Sequence, residues 1–485
     1  MEESLSRRFA AASGWAFTLR ISDRVLSLGR TILLARLLAP RDFGLFGIAL
    51  LTLSTLEAVT QGGLAAAIVQ RKGSVRAHLD TAWTLQLARG AILAAIVFLG
   101  APLAAGFFLE PLAIPLLRTV ALSVLLQAFS NVGAVLLQRE LDFRRRFFHL
   151  ASGTVADLVV SVLFAFVFRS AWALVFGLLA RNATQTVVSY IVHSHRPRLS
   201  FSRARATELL EFGRWVFLSG LIAFLITQGD DILVGRVLGA TALGLYQMAY
   251  RLANLSTTEV SHVISAVAFP AYAEIQQESS RLSRGHRDLL GAVALLAFPM
   301  AVGVIFLAPA FVSVVLGQDW IPAVPAVQIL AAYGALRALG STNGALLSGS
   351  GNPRVDLQIG AWKLLLLGIL IYPMTIRWGI AGTALATTVP SFLTQWLGFR
   401  KVAAILECRA RDLCRPLVLP LAGSFTMAAV LALVRASTST PLLVLVVGTV
   451  VGGTSYAISV WGLRGRWPGL DPLGPVLARF EGRRT

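Results

Sequence analysis

Long apolar runs, separated by short charged or Gly- and Pro-containing stretches, form the main pattern along the chain. A helix needs about 20 apolar residues to cross the hydrocarbon core of a bilayer, and charged residues, Gly and Pro commonly bound such helices. The pattern therefore predicts an all-α polytopic membrane protein. The predicted transmembrane helices, about 14 in number, lie at 14–38, 43–69, 80–108, 112–137, 150–168, 171–193, 211–238, 243–270, 288–316, 322–348, 355–376, 379–399, 413–434 and 441–462.

Composition and motifs exclude a soluble multidomain enzyme. Of the 485 residues 56% are hydrophobic and only 14% are charged, whereas soluble domains are about 25% charged. The sequence has no Gly-Lys dipeptide of a P-loop, no G-x-S-x-G motif and no H-E-x-x-H motif, and its six histidines are scattered. We therefore expect no enzymatic activity, no cofactor and no metal site.

The basic residues predict the orientation in the membrane. The net charge is +19, from 43 basic and 24 acidic residues. If the N-terminus is cytoplasmic, the alternating inner segments contain 26 basic residues and the outer segments contain four, Arg41, Arg169, Arg377 and Arg435. Such asymmetry follows the positive-inside rule. It predicts cytoplasmic termini and accounts for most of the positive charge without a nucleic-acid partner.

The chain resembles itself at an offset of 200 residues. Seven of the nineteen positions from 31 to 49 are identical to those from 231 to 249, without a gap. Since the offset spans six predicted helices, both copies have the same orientation, as in transporters built from parallel repeats. We expect an N-lobe (1–200), a C-lobe (201–406), and two further helices with a cytoplasmic tail (407–485). Chance similarity between two apolar helices is the alternative.

Several predicted helices carry cations, each costing about 2.5–3.5 kcal/mol near the bilayer centre on insertion scales. On the first helix, Asp23 shares one helical stripe with two arginines, at spacings of three and four residues. Guanidinium groups bind phosphate bidentately. We expect a cationic cavity wall that binds a phosphate or pyrophosphate, formed by Arg20, Arg24, Arg30 and Arg89. The alternative is that Asp23 neutralises an arginine in a purely structural pair.

A second group of charges predicts a gate. Arg30 and the following residue align, at the same offset, with Asp230 and Asp231. Residues related by an axis along the membrane normal lie at equal depth, so a cation of one lobe could pair with acids of the other. We expect a gating or ion-coupling set of Asp23, Asp230, Asp231, Arg236 and Arg251. Pairing of the two aspartates within their own lobe is the alternative.

Four short segments carry a family resemblance. They are LARLLAPRDFGL (34–45), GGLAAAIVQR (62–71), LQRELDFR (137–144) and GDDILVGR (229–236). Together they resemble signatures of the Wzx-like polysaccharide flippases, a branch of the multidrug/oligosaccharidyl-lipid/polysaccharide exporter superfamily. The likeness extends from about residue 14 to 400, and the last 80 residues match only in being apolar.

The resemblance implies a flippase of the bacterial inner membrane that works by alternating access. Its substrate would be an undecaprenyl-pyrophosphate-linked oligosaccharide for a surface polysaccharide. Partners would be membrane lipid, a polysaccharide polymerase and chain-length machinery, with no cofactor and no nucleic acid. Two alternatives stay open, an ion-coupled multidrug exporter of the same fold and a membrane assembly or scaffold protein.

Overall fold

A computed structural model describes residues 2–60, 76–139, 142–276 and 278–464. Over these residues the regular secondary structure is helical and includes no strand. Eight of the described helical spans are long and apolar enough to cross a membrane. The predicted class, an all-α polytopic membrane protein, is thereby confirmed. The count of about 14 transmembrane helices and the two six-helix lobes stay predictions.

The described residues of the first part of the chain form six long helices. In chain order they are α1 (Glu2–Leu37), α2 (Pro40–Thr60), α3 (Arg76–Phe108), α4 (Ala113–Ala128), α5 (Phe143–Phe168) and α6 (Trp172–Val192). The predicted second helix, 43–69, extends past Thr60 into residues outside the described part of the chain.

Single glycines divide the next two long helical spans. Arg203–Ile275 is broken at Gly239 (φ 83°, ψ 179°) into α7 (203–238) and α8 (240–275). Pro353–Ile405 is broken at Gly379 (φ 57°, ψ −140°) into α11 (353–378) and α12 (380–405). Both conformations have positive φ, which glycine adopts without steric cost. The remaining long helices are α9 (Ser279–Phe311), α10 (Val324–Gly349), α13 (Ala410–Ser437) and α14 (Pro441–Arg464), and short helical segments lie at Leu136–Arg139, Val312–Leu316 and Gln318–Ala323.

Several helices begin earlier than their apolar runs. The runs at 150–168 and 288–316 belong to helices that begin at Phe143 and Ser279. Hydropathy marks the part of a helix that lies in the bilayer, whereas its backbone hydrogen bonds continue into water. Basic residues expected in loops, such as Arg144 and Arg284, therefore lie on helices.

The predicted fourth helix, 112–137, is too long, because α4 ends at Ala128. Asn131 lies just beyond this end, where its side chain accepts a hydrogen bond from the Gly133 N–H at 2.9 Å. Its own N–H donates to Ser189 Oγ of α6 at 2.8 Å. Capping by the asparagine starts a separate 3-10 turn, which hydropathy does not reveal.

The chain divides into two compact units, Met1–Gly244 and Leu245–Thr485. In the first unit α5 packs against α1 and α6, and α4 packs against α3 and α6. In the second unit α9 packs against α10, α13 and α14. The predicted division into 1–200, 201–406 and 407–485 stays a prediction.

Two close glycine contacts within the first unit involve residues that are 200 positions apart. A Cβ atom on Gly44 would lie 1.7 Å from the Ala240 carbonyl oxygen, and one on Gly244 would lie 2.0 Å from the Pro40 carbonyl oxygen. Pro40 and Ala240 are related by the same offset of 200 as the two glycines. The two contacts are therefore reciprocal at this offset, and the parallel repeat stays a prediction.

The second unit contains a buried chain of neutral polar side chains. Tyr272 Oη lies 3.0 Å from His286 Nδ1, and His286 Nε2 lies 3.2 Å from Asn343 Oδ1. All three residues are buried. Since the amide oxygen only accepts, Nε2 carries the histidine proton and Nδ1 accepts from the tyrosine hydroxyl. The contacts join α8, α9 and α10.

Candidate functional site

An ion pair joins α1 to α5 inside the first unit. The Arg30 Nη2 atom lies 2.8 Å from Asp157 Oδ1, and the two side chains are only 15% and 8% exposed. Arg30 Nε also donates a hydrogen bond to Ser161 Oγ at 3.1 Å. The guanidinium group therefore has both a charged and a neutral acceptor on the same face of α5.

A second polar contact joins the same two helices. Thr154 Oγ1 donates a hydrogen bond to Asp23 Oδ1 at 2.7 Å. Thr154, Asp157 and Ser161 are spaced by three and four residues, so they lie on one face of α5. The polar stripe predicted on α1 thus lies against a polar stripe on α5.

Helix α6 completes the surroundings of the ion pair. A Cβ atom on Gly177 would lie 2.4 Å from Asp157 Oδ1, so the glycine leaves the space that the carboxylate occupies. Arg181, one turn further along α6, interacts electrostatically with both Arg30 and Asp157. We refer to Asp23, Arg30, Asp157 and Arg181 as the charged cluster.

The four predicted substrate-binding arginines differ in their surroundings. Arg30 belongs to the charged cluster, and Arg24 lies half-buried on α1. Arg89 lies on α3, where its Nη2 is 3.3 Å from Thr60 Oγ1, and it interacts electrostatically with Glu57. The side chain of Arg20 lies outside the described part of the structure. Their roles in substrate binding stay predictions.

The predicted gate residues lie on three helices. Asp23 of α1 accepts the hydrogen bond from Thr154. Asp230 and Asp231 lie on α7, and Asp230 is buried. Arg236 donates a hydrogen bond to the Phe107 carbonyl oxygen at 2.5 Å, and Arg251 is exposed on α8.

The partner of Arg30 in this structure is Asp157. A gate formed with Asp230 or Asp231 would therefore require Arg30 to exchange partners between conformations. That exchange stays a prediction.

Asp157 and Arg181 are cluster residues that the predicted site did not include. A signal for Asp157 is present in the sequence, because Thr154, Asp157 and Ser161 form a polar stripe in an otherwise apolar helix. Arg181 has no such stripe, and only the packing of α6 on α5 brings it to the carboxylate.

The charged cluster lacks the ligands of a typical metal site. Its two arginines and two aspartates balance formally, and Arg24 on α1 adds a further cation. Guanidinium groups can donate two parallel hydrogen bonds to a phosphate. Among the described residues, no group of three or more His, Cys, Asp or Glu side chains could hold a metal ion.

Residues 33–325, more than half of the chain, match the family described as polysaccharide biosynthesis protein. The chain belongs to this family. The Wzx-like membership predicted from the sequence motifs is thereby confirmed.

Two relatives extend the polysaccharide biosynthesis family match over most of the chain. The lipopolysaccharide biosynthesis protein WzxC of Escherichia coli K12 is 27% identical over 394 residues, which are 81% of this chain and 79% of that protein. The teichuronic acid biosynthesis protein TuaB of Bacillus subtilis is 24% identical over 372 residues, which are 75% of this chain and 76% of that protein.

Solved structures show the fold of this family member. The lipid II flippase MurJ, in an inward closed conformation, aligns with a TM-score of 0.74 at 16% identity, covering 94% of this chain and 99% of that chain. An inward-facing multidrug resistance MATE transporter aligns with a TM-score of 0.61 at 17% identity, covering 79% of this chain and 96% of that chain. The chain therefore has the MurJ/MATE fold.

Proposed function

We propose that this chain flips an undecaprenyl-pyrophosphate-linked oligosaccharide from the cytoplasmic to the outer leaflet of the bacterial inner membrane. The product would serve a surface polysaccharide such as O-antigen, capsule or exopolysaccharide. Family membership supports a role in polysaccharide biosynthesis, and the resemblance to a lipid II flippase provides a fold suited to lipid-linked glycans.

The charged cluster is the observation that carries the proposal. Charged side chains within membrane-spanning helices are costly and mark substrate or ion pathways. Here α1, α5 and α6 direct charged groups toward one another, and Arg24 lies on α1 next to Asp23. Because the cluster is formally neutral, Arg24 supplies the excess positive charge, which suits an anionic substrate such as a pyrophosphate better than a cationic drug.

The proposed mechanism is alternating access between two six-helix lobes, 1–200 and 201–406, with both termini in the cytoplasm. Arg24 would contact the pyrophosphate together with Arg20 and Arg89. Arg30 would exchange Asp157 for Asp230 or Asp231 as the outer side closes. A polysaccharide polymerase would receive the flipped glycan.

Replacing Arg24 tests the proposal. Arg24→Ala should abolish surface-polysaccharide export at unchanged abundance in the membrane, and Arg24→Lys should restore it only in part because bidentate contact is lost. Exposed Arg284 offers a matched control, since Arg284→Gln should leave export unchanged. Normal export by Arg24→Ala would remove this residue from the substrate site.

Charge reversal tests the exchange of partners. Arg30→Asp combined with Asp231→Arg should export more than either single variant if the gate forms. Arg30→Asp combined with Asp157→Arg should restore abundance in the membrane, because it reverses the pair seen in the structure. A gain only in the second combination would leave Arg30 with a structural role.

A multidrug exporter is the second candidate, and the likeness to the MATE transporter favours it. Deletion and overexpression separate the two functions. A flippase should change the amount of surface polysaccharide without changing resistance to cationic drugs. The opposite result would favour the exporter.

A further inference from the structure

An apolar groove of about 900 Å³ runs between α1 and α5. Its walls include Val25 on one side and Phe148, Val155 and Val159 on the other. These four side chains are between 44% and 62% exposed, so the groove is open along its length. Serines provide the few polar groups of its lining. The groove therefore offers an apolar channel parallel to the two helices.

The charged cluster fixes the two walls of this groove. The hydrogen bond from Thr154 to Asp23 and the ion pair of Arg30 with Asp157 both join α1 to α5. They span the part of α5 that also contributes Val155 and Val159 to the groove. The groove therefore keeps its width through polar contacts that lie beside its lining.

A cation lies on the same helical stripe as the apolar lining of α5. Arg144 precedes Phe148 by four residues, and Phe148 precedes Ser152 by four, so all three share one face of the helix. Arg144 is exposed, and no described residue forms an ion pair with it. Its neighbour Arg145, by contrast, pairs with Asp142 at 3.4 Å. Arg144 therefore lies on the face of α5 that lines the groove, one helical turn before Phe148, on the predicted cytoplasmic side.

Lipid chains gain little from entering such a groove, because membrane lipid is as apolar as its lining. A preference for one lipid over another must then come from Arg144 and from the shape of the channel. A guanidinium group can donate two parallel hydrogen bonds to a phosphate. An apolar channel with an exposed arginine one helical turn beyond its lining therefore fits a lipid with one long chain and a diphosphate head.

We propose that the α1/α5 groove holds the isoprenoid chain of the carrier lipid, with its diphosphate at Arg144, before the substrate enters the transport path. This inference rests on the proposed function and adds a docking site for the lipid part of the substrate. The site is distinct from Arg20, Arg24, Arg30 and Arg89, which are proposed to act inside the protein.

Photocrosslinking provides the first test. The full-length protein in nanodiscs is irradiated with undecaprenyl diphosphate that carries a diazirine on its chain, and the labelled peptides are mapped. Labels should fall on 21–26 and 147–160, and unlabelled undecaprenyl diphosphate should compete better than phosphatidylglycerol. Labels on other helices would overturn the groove but leave the flippase proposal standing. Equal competition by phosphatidylglycerol would identify the groove as a general lipid site and overturn the inference.

Filling the groove provides the second test. Val155→Trp and Val159→Trp should each lower export at least tenfold while abundance in the membrane is unchanged. Leu163→Trp and Val167→Trp are matched controls, because both side chains are exposed on α5 but lie outside the groove lining. If Val155→Trp prevents folding, the smaller Val155→Phe replaces it, and it should also lower export at unchanged abundance in the membrane. Equal export by groove and control variants would contradict the proposal.

The role of Arg144 is tested separately. Arg144→Gln should weaken competition by undecaprenyl diphosphate severalfold in the crosslinking assay, and Arg144→Lys should recover part of it. Arg284→Gln serves as the control for loss of an exposed cytoplasmic charge. Absence of any saturable crosslink in the unaltered protein would count against the flippase proposal itself, whereas an unchanged Arg144→Gln result would count against this site alone.

Discussion

The two units join their helices through different polar chemistry. In the first unit Arg30 of α1 and Asp157 of α5 form a buried ion pair at 2.8 Å. Arg181 of α6 interacts electrostatically with both residues. In the second unit a tyrosine, a histidine and an asparagine connect three helices through hydrogen bonds among neutral groups. Buried charge is costly and tends to mark function in membrane proteins. The difference leads us to expect that loss of a charge in the first-unit cluster costs more stability than loss of a neutral partner in the second-unit network.

The largest effect is expected from Asp157→Ala. The substitution leaves Arg30 buried without its carboxylate, and breaking a buried pair in this way costs about 3–5 kcal/mol. Thermal unfolding in detergent should show the loss. Glu278→Ala, which removes an exposed pair with Arg281, is the control and should cost no more than about 1 kcal/mol. Equal Tm values for the two variants would show that the buried pair is not structurally important.

A smaller effect is expected from Asn343→Ala in the second unit. It leaves the His286 Nε2–H without its acceptor, and an unsatisfied buried donor costs about 1–3 kcal/mol. Export per molecule in the membrane should stay normal, because no charge is involved. Tyr272→Phe is the companion variant at the other end of the network. A loss of export without a loss of Tm would give the neutral network a part in transport and weaken the comparison.

The smallest effect is expected from Thr375→Val. Its hydroxyl lies 2.8 Å from the Thr383 hydroxyl across the α11/α12 turn, and hydrogen bonds between membrane helices average about 0.6 kcal/mol. Tm should fall only slightly, and export should be unchanged. Thr454→Val serves as a control, since that exposed hydroxyl bonds only within its own helix. A drop as large as that of Asn343→Ala would contradict the expected ranking.

Hydropathy predicted the helical membrane fold because bilayer burial imposes long apolar runs. It also predicted two separate helices, 355–376 and 379–399, on the two sides of the break at Gly379 between α11 and α12. It missed the end of α4, since the decisive feature is a hydrogen bond made by Asn131 with Gly133. Local polar contacts of this kind leave little trace in a hydropathy profile.

The candidate site was predictable only in part. The stripe on α1 identified Asp23 as an intramembrane charge, and the offset of 200 residues directed attention to Arg30. Their partners depend on which helices pack together, and this is a property of the fold. Asp157 lies on α5 and Arg181 on α6, so neither could be matched to Arg30 from spacing alone.

At Gly239 and Gly379 a single non-helical residue connects two helices, so the connection cannot absorb an inserted residue. At 3.6 residues per turn, one inserted residue would rotate the following helix by about 100°. At Gly382 a Cβ atom would already lie 1.9 Å from the Met374 carbonyl oxygen, so a rotation would press a bulkier residue against that backbone. Each glycine thus sets the angular phase of the next helix, and a single insertion there would disturb all of its contacts at once.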